Sequence, residues 1–279
     1  MSRHAAPLSN QSQARSSNLG AAVVAAAVTV ALVLPPLAGR AGVAAALAVL
    51  QVLLVYAWVM GTAMPGRIGA LLLGTGTALA CDALVYRFPD EGLGPILYAY
   101  AGTFVLAIVH QLSRGVVRVR VTESVAHVCL LSAAAAALTG YLAMQNAAGS
   151  TLLTVGVSAT GLAIVAGLLV DTVLPVPRFD SGVDHGLLGV IASAAVGAGV
   201  GWLRVSQATL SVDPQAGALL GGALGLLAAL VGIGVAYVCE SATPRRAAFG
   251  GLTLPYLRAV LPFALTAPVA FVLASAVGG

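Results

Sequence analysis

The sequence predicts an all-α fold: a polytopic transmembrane helical bundle of about nine spans, N-terminus cytoplasmic and C-terminus outside. Three observations predict it. First, 59% of the 279 residues are hydrophobic and only 8% are charged, against roughly 25% charge in soluble domains. Second, the 13 basic and 9 acidic residues gather in short gaps between apolar runs, and runs of about 20 residues can each cross a hydrocarbon core near 30 Å thick. Third, every basic residue is an arginine, and the arginines fall unevenly between alternate gaps. The alternating apolar and polar pattern of a membrane β-barrel is missing.

The spans fall at about 18–38, 41–61, 67–86, 94–113, 123–145, 151–171, 186–204, 215–239 and 257–278. Residues 1–17 are polar, carrying Arg3, His4 and Arg15 ahead of the first run. The length of that run and the span behind it predict a retained anchor helix rather than a cleaved signal, with the Ser/Gln/Ala-rich tail disordered. Residues 18–279 then form a single integral-membrane domain. Pro35, Pro36 and Gly39 predict a tight turn between the first two spans. The third span carries Asp82 near its outer end, followed by Tyr86 and Arg87. A proton relay is conceivable there, although an acid one turn from the interface more often pairs locally or reaches out to water.

Glu123 and His127 lie four residues apart and so share one face at the start of the fifth span, with His110 near the end of the fourth. A hydrogen-bonded pair is favoured over a metal site, which needs tighter ligand spacing. In the eighth span Gly217, Gly221 and Gly225 repeat every four residues, and Gly197, Gly199 and Gly201 crowd the seventh. Small residues at this spacing let helix backbones approach closely. They predict ordinary packing within the bundle, with a homodimer seam as the alternative. Pro262 and Pro268 predict a kink in the last span. Cys81, Cys129 and Cys239 sit apart in apolar runs and read as packing residues. No inverted repeat of the transporter kind is recognisable.

With the N-terminus inside, ten arginines face the cytoplasm (Arg3, Arg15, Arg67, Arg114, Arg118, Arg120, Arg178, Arg245, Arg246 and Arg258) and three face outward (Arg40, Arg87 and Arg204). That imbalance sets the orientation by the positive-inside rule. It also explains the net charge of +4 without nucleic acid, for which no basic–aromatic patch is present.

Three inner segments gather the remaining polar chemistry. Arg114, Arg118 and Arg120 sit beside the membrane, where each attracts anionic headgroups by about 1 kcal/mol. Asp171, Arg178, Asp180, Asp184 and His185 form the densest polar patch. Asp171 is the leading metal-ligand candidate, with Asp180 and Asp184 secondary, because carboxylates with substrate phosphate suit Mg²⁺. Glu240, Arg245, Arg246 and Arg258 make the third segment, whose fork-shaped guanidinium donors match phosphate. Topology puts the second and third segments on one side, so carboxylates and arginines are expected over one interfacial pocket. No Gly-rich phosphate loop, nucleophile elbow or zinc-protease helix signature is present.

The order of these pieces resembles the phosphatidate cytidylyltransferase family (CDP-diacylglycerol synthases), over roughly Leu162 to Leu273. Asp171-Thr172 matches the family's Asp-Thr pair at a span end, and His185-Gly186 stands where the family has Glu-Gly. Glu240-Ser241 matches the start of its late signature, Pro244-Arg245 replaces Lys-Arg, Gly250-Gly251 falls where Lys-Asp belongs, and Leu257-Arg258 replaces Asp-Arg. The resemblance implies the family fold, with Asp171 as a metal ligand, Mg²⁺ as the cofactor if the chain catalyses, and Arg245 and Arg258 as phosphate contacts. The family joins phosphatidate to the α-phosphorus of CTP, a transfer that relies on cations to neutralise phosphate charge. Two of its carboxylates have no counterpart here. The expectation is therefore a non-catalytic or weakly active relative that binds anionic membrane phospholipid or nucleotide at a cytoplasmic-face pocket. An active enzyme using Asp180, Asp184 or Glu240 is the alternative, and a small-solute or lipid transporter the second. The arginine-only, Ala/Gly/Val-rich composition predicts the inner membrane of a GC-rich bacterium.

Overall fold

The structure, a computed structural model, describes residues 8–62, 66–113, 121–174, 177, 185–208, 212–241 and 253–278. Among these the chain forms nine α-helices: α1 (Leu8–Val33), α2 (Gly39–Gly61), α3 (Arg67–Arg87), α4 (Ile96–Ser113), α5 (Val121–Ala137), α6 (Gly140–Val173), α7 (Leu187–Gln207), α8 (Pro214–Ser241) and α9 (Thr253–Gly278). Among the described residues seven helical stretches are long and apolar enough to cross a membrane; two of them, Arg15–Gly61 and Val121–Val173, run to 47 and 53 residues and contain breaks. The chain is thus an all-helical, multi-pass bundle.

The breaks in the long stretches have local causes. Pro35 and Pro36 carry no amide hydrogen, so the α1 ladder stops at Leu34 N–H to Val30 O and the chain passes through a 3-10 turn at Pro35–Ala38 before α2. Between α5 and α6 the spacing tightens: Leu138 N–H bonds Ala135 O and Thr139 N–H bonds Ala136 O, three residues back instead of four. Ten residues later Gly149 breaks α6 with φ 80° and ψ 175°, a conformation open to glycine alone. Of the expected spans at 123–145 and 151–171, the first carries an additional break at residues 138–139, and the break at Gly149 falls between the two.

α1 begins at Leu8, ahead of the first apolar run. Its Ser17 and Asn18 side chains dock on α9 by hydrogen-bonding Arg258.

α6 is the central helix, packed against α1, α2, α3, α7, α8 and α9. Small residues make this possible. At Gly161 an added Cβ would strike Thr29 of α1, and at Gly167 it would strike Ser193 of α7. The α7–α8 contact is closer still: Cβ atoms at Gly197, Gly201, Gly217 and Gly221 would each meet backbone of the opposite helix. With no aqueous hydrophobic drive between helices in lipid, that approach gains dispersion contact instead. Gly197, Gly201, Gly217 and Gly221 thus face one another within the chain, whereas Gly199 has nothing within 4 Å of its added Cβ. At the periphery α4 packs on α3 and α5 and exposes Leu97, Tyr98, Phe104 and Leu112, an outward apolar face suited to lipid. Several hydroxyls inside the spans are satisfied locally: Thr29, Thr77, Thr103 and Thr172 donate to the carbonyl four residues back.

Candidate functional site

Four helices enclose a cleft at the point where α6 ends and α7 begins. Ile164, Gly167, Leu168 and Asp171 come from α6, Gly189, Val190 and Ser193 from α7, Ala228, Ala229 and Gly232 from α8, and Arg258 and Pro262 from α9, with His185 just ahead of α7. The cleft is partly open to its surroundings, with a cavity volume of about 20 Å³. The lining is mostly small and apolar, with three ionisable side chains placed close together.

Asp171 has both carboxyl oxygens engaged. Oδ2 shares a hydrogen bond of 2.5 Å with His185 Nδ1, and Oδ1 accepts from Gly186 N–H at 2.9 Å. The carboxylate therefore pins His185 and Gly186, the residues that lead into α7. Gly189 permits the arrangement, because any Cβ there would collide with the Asp171 carboxylate. Ser193, one turn on, donates to Ala163 O at 2.9 Å, tying α7 to α6 a second time. The Asp171-Thr172 pair also divides its work: Thr172 turns back to Leu168 O, away from the carboxylate.

Arg258 is the cationic member. It is buried, with 8% of its surface exposed. Nη1 donates to Ser17 Oγ at 3.1 Å and to Asn18 Oδ1 at 2.9 Å, while Nε is buried without a partner among the described residues. Both partners are neutral, and the carboxylate lining the same cleft, Asp171, is bonded elsewhere. A guanidinium held by neutral groups keeps its charge available to a ligand.

Asp171 and Arg258, two residues singled out from sequence, thus meet in one cleft with His185. The secondary metal-ligand candidates Asp180 and Asp184 lie outside the described residues, as do Arg114, Arg118, Arg120, Arg178, Arg245 and Arg246; the Glu240 side chain does too. Among the described residues no group of three His, Cys, Asp or Glu side chains gathers as a metal site. The described part of the cleft offers Mg²⁺ one carboxylate whose two oxygens are both already hydrogen-bonded, and that does not fit a Mg²⁺-loaded centre. Glu123 and His127 each have a partner, and His110 lies where a Cβ on Gly69 of α3 would fall.

Sequence reasoning did not single out Gly189, Ser193, Ser17 or Asn18. Gly189 and Ser193 sit one turn apart on a helix otherwise read as packing surface. Ser17 and Asn18 lie some 240 residues from their partner, and no local pattern signals that pairing.

No family model, no curated protein and no solved structure matches this chain. The helices and the cleft define its class: a multi-pass, all-helical membrane protein.

Proposed function

We propose that this is an inner-membrane protein that holds an anionic, phosphate-bearing ligand in the α6–α9 cleft without turning it over, the ligand being a phospholipid headgroup or a nucleotide. The observation that carries the reading is Arg258, a buried guanidinium lining the cleft and bonded to neutral side chains only among the described residues. A buried cation is costly unless an anion joins it, and phosphate matches its planar donors. The apolar walls at Ile164, Leu168 and Val190 suit the upper part of an acyl chain. The resemblance of Asp171-Thr172 and Glu240-Ser241 to the CDP-diacylglycerol synthases points to the same ligand class. The non-catalytic half of the reading rests on Asp171, whose oxygens hold His185 and Gly186.

The cleft is taken as cytoplasmic on the arginine count, ten against three. Nine crossings follow if each long stretch crosses twice. At 1.5 Å per residue, the 47- and 53-residue stretches are each more than double a bilayer core of about 30 Å, and each is broken near its middle.

The test is retention of native lipid. Native mass spectrometry of the protein released from mild detergent is expected to show anionic phospholipid on the wild type and several-fold less on Arg258→Gln. Equal retention by both would refute the assignment.

A further inference from the structure

A second polar cluster lies apart from the cleft, built around Asp82, the other buried acid among the described residues. Asp82 of α3 is 6% exposed and Gln51 of α2 is fully buried. Both meet the break between α5 and α6. Gln51 Nε2 lies 3.1 Å from Asp82 Oδ1, 3.2 Å from Ala135 O and 3.2 Å from Thr139 Oγ1, and Thr139 Oγ1 donates to Asp82 Oδ1 at 2.6 Å. The tightened turn at 138–139 turns the Ala135 carbonyl and the Thr139 hydroxyl toward this cluster.

Counting donors and acceptors shows what is missing. Gln51 supplies two N–H groups and Thr139 one O–H, and all of them are directed to Asp82 Oδ1, Ala135 O and Thr139 Oγ1. Asp82 Oδ2 and Gln51 Oε1 are both buried and have no partner among the described residues. A buried polar atom without a partner is rare and calls for an explanation. The cluster is short of a donor, and a proton on Oδ2 supplies one by turning an acceptor into an O–H group. A metal cation would need room among groups that already touch one another at 2.6–3.2 Å; a proton needs none. Helix breaks lined by freed carbonyls and an intramembrane acid are where membrane proteins bind small cations.

We infer that Asp82 is a proton-binding site inside the bundle, its carboxyl gaining and losing a proton against the broken segment between α5 and α6. The step is an exchange with water alone: the carboxylate takes one proton at Oδ2 and releases it again. The groups around it are few. Cys81 adjoins it on α3, Tyr100 of α4 hydrogen-bonds the Cys129 carbonyl of α5, and Tyr141 of α6 is turned to Thr266 of α9. Arg40 of α2 lies one turn outward, bonded to the Tyr86 carbonyl and stacked on its ring. Asp90 and Glu91 sit in the 3-10 turn beyond α3. None of these bonds Oδ2.

The experiment is infrared difference spectroscopy of the full-length protein in lipid nanodiscs, between acid and alkaline buffer. A protonated-carboxyl stretch is expected that grows as the pH falls, is absent in Asp82→Asn, and has the same midpoint in sodium chloride as in choline chloride. Asn should fold, because its amide places N–H donors where Oδ2 lacked one. Should that variant fail to fold, Thr139→Val deletes the 2.6 Å donor to Oδ1 and should move the midpoint. A band unchanged by both substitutions overturns the proposal, and so does a midpoint that sodium displaces, which would make the site one for a metal cation.

Discussion

Replacing Gly189 with alanine adds one methyl group to the wall of the cleft and changes no polar atom. The new Cβ would lie 2.6 Å from Asp171 Cγ, about 0.8 Å inside the 3.4 Å at which ordinary contact begins. Two responses are open. The carboxylate can swing away and lose its bonds to His185 and Gly186, each worth about 1.5–3 kcal/mol for a charged group. Alternatively, α7 can back off from α6, at the overpacking cost of about 1–3 kcal/mol. The cheaper response sets the outcome, and alanine's helix propensity returns up to about 1 kcal/mol. A net loss of about 1–2 kcal/mol is expected. Gly199→Ala on the same helix is the control, because nothing lies within 4 Å of its added Cβ; it should be neutral or gain up to about 1 kcal/mol. Reversible unfolding by SDS titration in mixed micelles, followed by circular dichroism, measures both. Two variants agreeing to within about 0.5 kcal/mol would show that Asp171 does not press on α7 as described.

Three further outcomes are expected. Gly221→Val should destabilise the bundle by about 1–3 kcal/mol in the same titration without changing mass by light scattering, since its Cβ would strike the Gly197 carbonyl within the chain; a change of oligomer at unchanged stability would support the dimer seam. His185→Ala removes the partner of a buried carboxylate and should cost about 3–5 kcal/mol, with His185→Gln recovering part of it; an unaltered unfolding midpoint would count against the pair. Tyr256→Phe deletes the hydroxyl bond to Leu50 O that ties α9 to α2, and should cost about 0.5–1.5 kcal/mol with no loss of bound lipid; loss of lipid would place Tyr256 in the ligand site.

The helices were legible because each apolar run is bounded by charge, proline or glycine. Where those markers stand at a break, as at Pro35 and Pro36, the observed 3-10 turn falls on the expected residues. The break at residues 138–139 carries only Gly140, which follows an alanine-rich run in a sequence where glycine is common throughout the spans. Tertiary bonds from Gln51 to Ala135 O and Thr139 mark it in three dimensions. A lone glutamine in the apolar run Leu47–Tyr56 was the available signal, since a buried amide needs partners. In the cleft, Asp171 was readable from its place at a span end and Arg258 from its place near a span start. Their convergence with His185 depends on how α6, α7 and α9 pack, and the docking of Ser17 and Asn18 on Arg258 depends on contacts between the chain's two ends. Local periodicity carries neither. Asp82 was visible as a charge out of place; its unfilled oxygen was not, because hydrogen-bond satisfaction belongs to three dimensions.

The decisive measurement is equilibrium binding of phosphatidate and of CTP, each with Mg²⁺, to the purified wild type and Arg258→Gln, with the mixture of both ligands analysed for CDP-diacylglycerol. Loss of two charge-assisted hydrogen bonds should weaken binding of the preferred ligand at least about tenfold, or about 1.4 kcal/mol, and no product should form. Equal affinity in the two proteins, or CDP-diacylglycerol that disappears in Asp171→Ala, would contradict a binding site built on Arg258 and an Asp171 held by His185.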